Sequence, residues 1–285
     1  MPPRKPSPVG SHILLTGTPS GLAFAERVGA EAIQIFGSNP RGWAQPRPNP
    51  AADAAFGERC AAAKVPLFLH APYLVNCASP NDVTRTKSAA AIGHALGRGA
   101  ALGAKGVVVH AGAAVDAGRR RLGVATMREL LLPILDGLRD DDPDLLIEHA
   151  AGGGEPIAAT VEDLGEVMIA LDGHPKLGVC LDTCHAYAAG HDIAAPGGIR
   201  AMLNTLVKVV GRGRLKLVHA NDSKDPLGSR RDRHARIGHG TIGEDPFAEL
   251  FRHPSTRGVP VIIETPGSVE DHADDIALLK SLRDR

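Results

Sequence analysis

Gly106-Val107-Val108-Val109-His110 is a run of β-branched residues that stops on a histidine, and it follows an Ala-rich segment, 83–102, with helical spacing. A run this short and this rich in Val reads as a strand buried on both faces. The same unit recurs along the chain in both directions. Strands are expected at 12–15, 32–36, 67–69, 106–109, 145–147, 177–181, 215–218 and 259–263, eight in all. Helices are expected near 22–28, 51–63, 83–102, 126–138, 161–171, 199–210, 246–251 and 269–282. Thr160 before Val161, with Asp163 three residues on, is a capping-box-like start for one of them. The alternation marks repeated βα units around a parallel sheet. A closed barrel and an open doubly wound sheet both carry it, and periodicity does not choose between them. No Gly-x-Gly-x-x-Gly opening follows the first strand.

At 285 residues, 43% apolar and 22% charged, the chain is a globular protein with material for one large core. Barrels commonly reach about 250 residues around a single core. The expected organisation is a Pro-rich, disordered extension at 1–9 and one domain from 10 to 285; the glycines Gly152–Gly154 lie in a loop, not at a boundary. Apolar runs fall far short of the roughly 20 residues a membrane helix needs, and the start lacks an apolar signal core, so a cytoplasmic protein with no membrane contact is expected. Cys60, Cys77, Cys180 and Cys184 are scattered and expected to be reduced. Lys plus Arg and Asp plus Glu each number 32, so composition is silent about a polyanionic partner and any nucleic-acid surface must be local.

Six consecutive expected strands run into a His, Asp or Glu: His70, His110, Glu148, Asp182, His219 and Glu264. With 13 His and 32 acidic residues in the chain, six random hits have a chance of roughly one in a hundred thousand, and barrel active sites sit at this C-terminal end of the strands. One histidine after a strand is ordinarily a hydrogen-bonded rim residue; six such groups converging on one face are a metal site. Mixed imidazole and carboxylate donors suit zinc, manganese or iron better than magnesium. His185, three residues after Asp182, and the pair Asp232 and His234 lie just beyond. Nine candidate ligands exceed what one zinc binds and imply two or three ions with bridging carboxylates, a design suited to phosphate-ester hydrolysis. Nucleophile elbows, Walker loops and redox Cys spacing are absent. Cys180 and Cys184 are expected to pack behind the ligands.

These motifs resemble one family, endonuclease IV, from about Gly10 to the C-terminus. His70-Ala71-Pro72-Tyr73-Leu74-Val75-Asn76 is similar to its HAPYLIN segment, and Gly178 to His185 to its GVCLDTCH. His219-Ala220-Asn221-Asp222-Ser223, Gly228 to His234, and Glu264-Thr265-Pro266 resemble its HxNDS, GSxxDRH and ETP. The resemblance implies a (β/α)8 TIM barrel of the xylose-isomerase-like superfamily with three zinc ions at the C-terminal face. It assigns His70, His110 and Glu148 to one ion, and Asp182, His219 and Glu264 to a second that Glu148 bridges to the first. His185, Asp232 and His234 fall to the third. It further implies DNA repair by cleavage of duplex DNA 5′ to abasic sites, leaving a 3′-hydroxyl, through a metal-bridging hydroxide. Glu148 and Glu264 are the catalytic carboxylates and the damaged nucleotide is flipped out. A monomer, associated with the nucleoid through its substrate, is also implied.

The same resemblance places Arg41, in Asn39-Pro40-Arg41-Gly42-Trp43, with Tyr73 and Leu74 among residues that wedge into DNA. The plain alternative is that Trp43 and Tyr73 cap the barrel rim and Arg41 is solvated. The basic loop from Ser223 to Arg236 either tracks phosphates or is a solvated loop, and Arg119-Arg120-Arg121 reads as an exposed helix start. The other histidines lie outside the ligand set; His12 and His149 are near the mouth. The sequence departs from the family at Ala111-Gly112-Ala113, usually Pro-Gly and a polar residue, and at His149-Ala150, usually Asn-Thr. The competing functions are a metal-dependent sugar isomerase or epimerase on the same barrel and a DNA-damage binding protein without turnover.

Overall fold

The computed structural model describes residues 6–13, 15 and 21–285. Eight parallel strands close into a barrel: β1 (Val9–His12), β2 (Ile33–Phe36), β3 (Leu67–His70), β4 (Gly106–His110), β5 (Asp144–Glu148), β6 (Leu177–Asp182), β7 (Leu215–His219) and β10 (Val261–Ile263). Two short strands, β8 (Asp222–Ser223) and β9 (His234–Ala235), make an antiparallel ribbon above the mouth. Closure is made by β1 pairing with both β2 and β10. A TIM barrel is therefore the fold, and the open-sheet alternative is excluded.

The helices are α1 (Leu22–Arg27), α2 (Pro50–Ala62), α3 (Asp82–Leu102), α4 (Arg120–Asp136), α5 (Val161–Ala170), α6 (Thr183–Ala189), α7 (Gly198–Val210), α8 (Asp245–Arg252) and α9 (Val269–Arg283). Polar caps start most of them. Thr160 and Asp163 form both halves of a capping box at α5, and Ser268 with Asp271 does the same at α9. Among the described residues no helix is long and apolar enough to cross a membrane.

Side chains alternate along a strand, so each barrel strand sends every second residue inward. Ala32, Phe68, Val108, Leu146, Cys180, Leu217 and Ile262 form a buried apolar cluster separate from the main core. They come one from each of β2 to β7 and β10, the first just ahead of its strand, and they plug the barrel. Their neighbours Ile33, Leu69, Val109, Ile147, Leu181, Val218 and Ile263 belong to the larger core under the helices. Two residues beyond the plug, each strand turns inward again with Gln34, His70, His110, Glu148, Asp182, His219 or Glu264. β1 follows the same rule with Gly10 and then His12. A Cβ on Gly10 would lie 1.7 Å from the Ala32 carbonyl oxygen, so only glycine fits there. A register shift between β6 and β7 near Cys180 brings Asp182 level with His219.

Three expectations need correction. The first strand runs Val9–His12 rather than 12–15, and Leu14 lies outside the described residues; the pairing of β1 with Val261–Ile263 outweighs the weak strand character of Gly10 and Ser11. The end of the supposed disordered extension is anchored: the Ser7 hydroxyl donates to the Thr256 carbonyl at 2.6 Å and the Val9 N–H to Glu31 at 3.0 Å, while residues 1–5 lie outside the described residues. Helix α4 begins at Arg120, six residues before the expected start, with Arg120 paired to Asp163 and Glu166.

Phe68 fills the barrel just beneath the inward polar layer and is 3% exposed. Phe68→Ala should cost about 3–5 kcal/mol in urea unfolding; a loss under about 1 kcal/mol would show that this layer is not close-packed.

Candidate metal centre

All nine residues singled out as ligands converge on the C-terminal mouth. His70, His110 and Glu148 offer donor atoms within 4.8 Å of one another, as do Glu148, Asp182, His219 and Glu264, and as do His185, Asp232 and His234. Glu148 belongs to two of these groups, the position of a bridging carboxylate. Six of the nine come from the ends of barrel strands or the residue just after one. The other three are placed by elements with no counterpart in the sequence reading. Asp182 caps α6 by accepting the His185 N–H at 2.8 Å, so that helix turns His185 back over the mouth. The β8–β9 ribbon pairs Ser223 with His234 and brings the loop carrying Asp232 down beside it.

Three of the imidazoles are oriented through their far nitrogen by backbone carbonyls. His70 Nδ1–H donates to the Ala71 carbonyl at 2.6 Å, His185 Nδ1–H to the His149 carbonyl at 2.8 Å, and His234 Nδ1–H to the Glu264 carbonyl at 3.2 Å. A carbonyl can only accept, so in these three rings Nε2 is the nitrogen turned into the mouth, where a cation could take the place of its proton. Those Nε2 atoms face carboxylates: His70 lies 3.2 Å from Glu148, His185 3.2 Å from Asp232 and His234 3.0 Å from Asp232. His219 is reversed, its Nδ1 lying 3.0 Å from Glu148 and 3.4 Å from Glu264. His110 Nε2 is 3.7 Å from Glu148, and its Nδ1 has no hydrogen-bond partner among the described residues.

The donor chemistry fits a group of divalent cations. Buried Nε2 atoms of His185 and His234 make no hydrogen bond of acceptable geometry although carboxylate oxygens are close. Burial pushes the Glu148 carboxyl up, but His219 and His110 outweigh it and hold it well below the usual range. Burial likewise opposes ionisation of Glu264, and His219 and His12 overcome it. For Asp182 burial wins and its affinity for a proton rises, with His185 and His234 only partly offsetting. Burial lowers His234 while Asp232 and Asp182 raise it, with a net rise to about 9. Loading with cations would displace such protons, so metal uptake is coupled to proton release.

The supporting residues explain the motifs. Asn221 donates to Asp182 at 2.7 Å and accepts the Glu264 N–H at 2.8 Å, tying two ligands together. The buried Asp222 carboxylate accepts five backbone N–H groups, from Ser223, Gly238, Gly240, Ile242 and Gly243, and so fixes the loop behind the ribbon. Asn76 holds the turn after β4 by accepting from Ala113 N–H and donating to its carbonyl, and at Gly112, with φ of 95°, a Cβ would collide with it. His149 is fully buried; its Nδ1–H donates to Ala159 and its Nε2 accepts the Asp182 N–H. It thereby supports the Asp182 backbone from behind. Cys180 belongs to the apolar plug, and burial pushes its thiol up to about 12; Cys184 is buried and raised for the same reason. The Cys180 sulfur lies within 4.8 Å of donor atoms of Glu148 and His219, and the Cys184 sulfur within 4.8 Å of donor atoms of Asp182 and His234.

Tyr73 and Leu74 stand on the rim, 56% and 38% exposed, and Arg41 is exposed on the neighbouring loop, which Tyr73 N–H joins at Pro40. Tyr73 packs edge-on to Phe36 and lies 5.8 Å from the His70 ring, so it also covers the mouth. Trp43 packs on the core beneath Lys87. In the basic loop Arg230 is tied to the Gly152 and Gly154 carbonyls and Arg233 pairs with Asp225. A cavity of about 360 Å³ is lined by Lys224, Arg233, Tyr73 and seven of the ligands. Gln34, absent from the sequence reading, lies inside the polar layer; its position two residues past a plug residue was the available signal.

A family model described as xylose isomerase-like TIM barrel matches residues 22–282. A probable endonuclease 4 of Streptomyces avermitilis is 53% identical over 281 residues, covering 98% of this chain and 91% of the relative. The chain belongs to the endonuclease IV family. The crystal structure of endonuclease IV from Thermus thermophilus matches with a TM-score of 0.82 at 36% identity over 99% of each chain. A D-tagatose 3-epimerase-like protein matches with a TM-score of 0.74 at 20% identity over 97% of each chain, a likeness of fold alone.

Burial, then the nearby His185, lowers His149 to about 3 from an ordinary 6.5. Below about 6.5 the unfolded chain binds a proton that the folded chain refuses, so stability falls as the pH drops across that window. In metal-free protein, the stability advantage of wild type over His149→Asn should therefore shrink by about 1.4 kcal/mol per pH unit below 6.5. Urea titrations at pH 7 and pH 5 that give the same gap would contradict this placement of the neutral ring.

Proposed function

We propose that this chain, through its one barrel domain, hydrolyses the phosphodiester bond 5′ to abasic sites in duplex DNA and leaves a 3′-hydroxyl. Three zinc ions are the cofactor, held by His70, His110 and Glu148; by Asp182, His219, Glu264 and the shared Glu148; and by His185, Asp232 and His234. The observation that carries the reading is the third group, His185, Asp232 and His234, standing beside the two strand-end groups in a chain of this family. When bound, the ions would supply a hydroxide at neutral pH, neutralise the phosphate and stabilise the leaving oxygen.

The chain's own residues do the rest. Glu264 has one oxygen held at 2.8 Å by Gln34 and the other turned toward His219, and it would help orient or deprotonate the nucleophile. Glu148, 1% exposed, keeps the first two groups at a fixed separation. Tyr73 and Leu74 would enter the base stack beside the mouth, with Arg41 on the adjacent phosphates, so that the abasic nucleotide turns into the cavity. The isomerase reading rests on fold likeness at 20% identity, and one or two ions would suffice for it.

Protein purified without added metal should carry roughly three zinc ions per chain by elemental mass spectrometry and incise a duplex 5′ to a tetrahydrofuran abasic analogue. One or two ions, with no incision after zinc is restored, would favour the isomerase. Glu264→Gln should keep its fold and its affinity for abasic DNA while cleavage drops about 10²- to 10⁴-fold; a wild-type rate would remove its assigned role.

A further inference from the structure

Gln34 enters the mouth from β2 and is fully buried, in the same inward layer as the ligands. Its amide touches three members of that layer. Nε2 lies 2.8 Å from Glu264 Oε1 and 2.9 Å from His12 Nδ1, while Oε1 lies 2.9 Å from His219 Nε2. The carboxylate of Glu264 can only accept, so the amide nitrogen faces it and the amide oxygen faces His219. His219 must then carry a proton on Nε2. Its Nδ1 faces Glu148, Asp182 and Glu264 at 3.0, 4.0 and 3.4 Å, hydrogen-bonded to Glu148, and is the nitrogen a cation would meet once the Nδ1 proton is displaced. The same amide occupies Glu264 Oε1 and leaves Oε2 toward the cluster.

We infer that Gln34 is a positioning residue for the second metal group: one buried amide sets the tautomer of His219 and the rotation of Glu264, so both meet the cation without reorganisation. His70, His185 and His234 are oriented by backbone carbonyls, which any sequence supplies. Among these ligand rings His219 alone depends on a side chain, because its coordinating nitrogen is Nδ1 and its far nitrogen points across the barrel to β2. His12 closes the remaining side, its Nδ1 lying 2.9 Å from the amide nitrogen and 3.1 Å from Glu264 Oε1. This inference rests on the assignment of His219 and Glu264 to the second ion.

The test is zinc retention in Gln34→Met and Gln34→Ala, measured by competition with a chromophoric chelator from the fully loaded proteins. Far-UV circular dichroism and the melting temperature of the zinc-free proteins serve as checks on folding. Loss of outer partners of metal ligands typically weakens binding by about 10- to 100-fold. The expected result is that about one zinc per chain is lost at roughly 10- to 100-fold lower chelator concentration in both variants, with the remaining zinc held as in wild type. The fall in cleavage should appear in kcat rather than KM. Wild-type retention of every zinc in either folded variant would overturn the role of Gln34. A wild-type protein that holds no zinc would instead overturn the metal assignment on which it rests.

Discussion

Glu148 places a carboxylate, 1% exposed, in the mouth of the barrel, and four imidazoles close on it: His219 at 3.0 Å, His70 at 3.2 Å, His185 at 3.4 Å and His110 at 3.7 Å. An isolated buried anion is costly enough that a protein ordinarily neutralises or pairs it. Here pairing is built from four different βα units, so the charge can be buried only when the barrel is closed and in register. Alternation along the strands then follows as a requirement: one apolar residue per strand plugs the barrel, and the next inward residue carries the chemistry.

The loops above the strands are organised around the same demand. Asn221 spans Asp182 and Glu264, Asp222 gathers five backbone N–H groups, and Asn76 pins the turn after β4. Polar side chains in these loops thus direct their hydrogen bonds to backbone and to a ligand carboxylate. That rigidity holds the three donor groups in place before any ion arrives. It also accounts for His149, whose two nitrogens join Ala159 to the backbone of Asp182.

Much of this was legible in the sequence, for reasons that differ by residue. Six ligands stand at the ends of Val- and Leu-rich runs, where the period of two fixes their direction once the run is read as a strand. His185, Asp232 and His234 were marked by their spacing just beyond the strand ends, and the family motifs grouped them; α6 and the β8–β9 ribbon, which place them, are too short to leave a periodic signal. The shift of β1 to Val9–His12 was hidden since Gly10 and Ser11 have little strand character and are held by pairing with β10. Gln34 escaped notice because an amide is not a ligand type, although it occupies the inward layer in β2 that His70 occupies in β3, two residues past Ala32 and Phe68. The early start of α4 depends on ion pairs from Arg120 to Asp163 and Glu166 in α5, which no local window contains.

The most direct measurement is anomalous diffraction at the zinc edge from crystals of the protein as purified. Three peaks are expected: one among His70, His110 and Glu148, one among Asp182, His219 and Glu264, and one among His185, Asp232 and His234. A missing peak at the His185, Asp232 and His234 group after zinc is restored, or a peak on Cys180 or Cys184, would contradict the arrangement of ligands derived from the barrel.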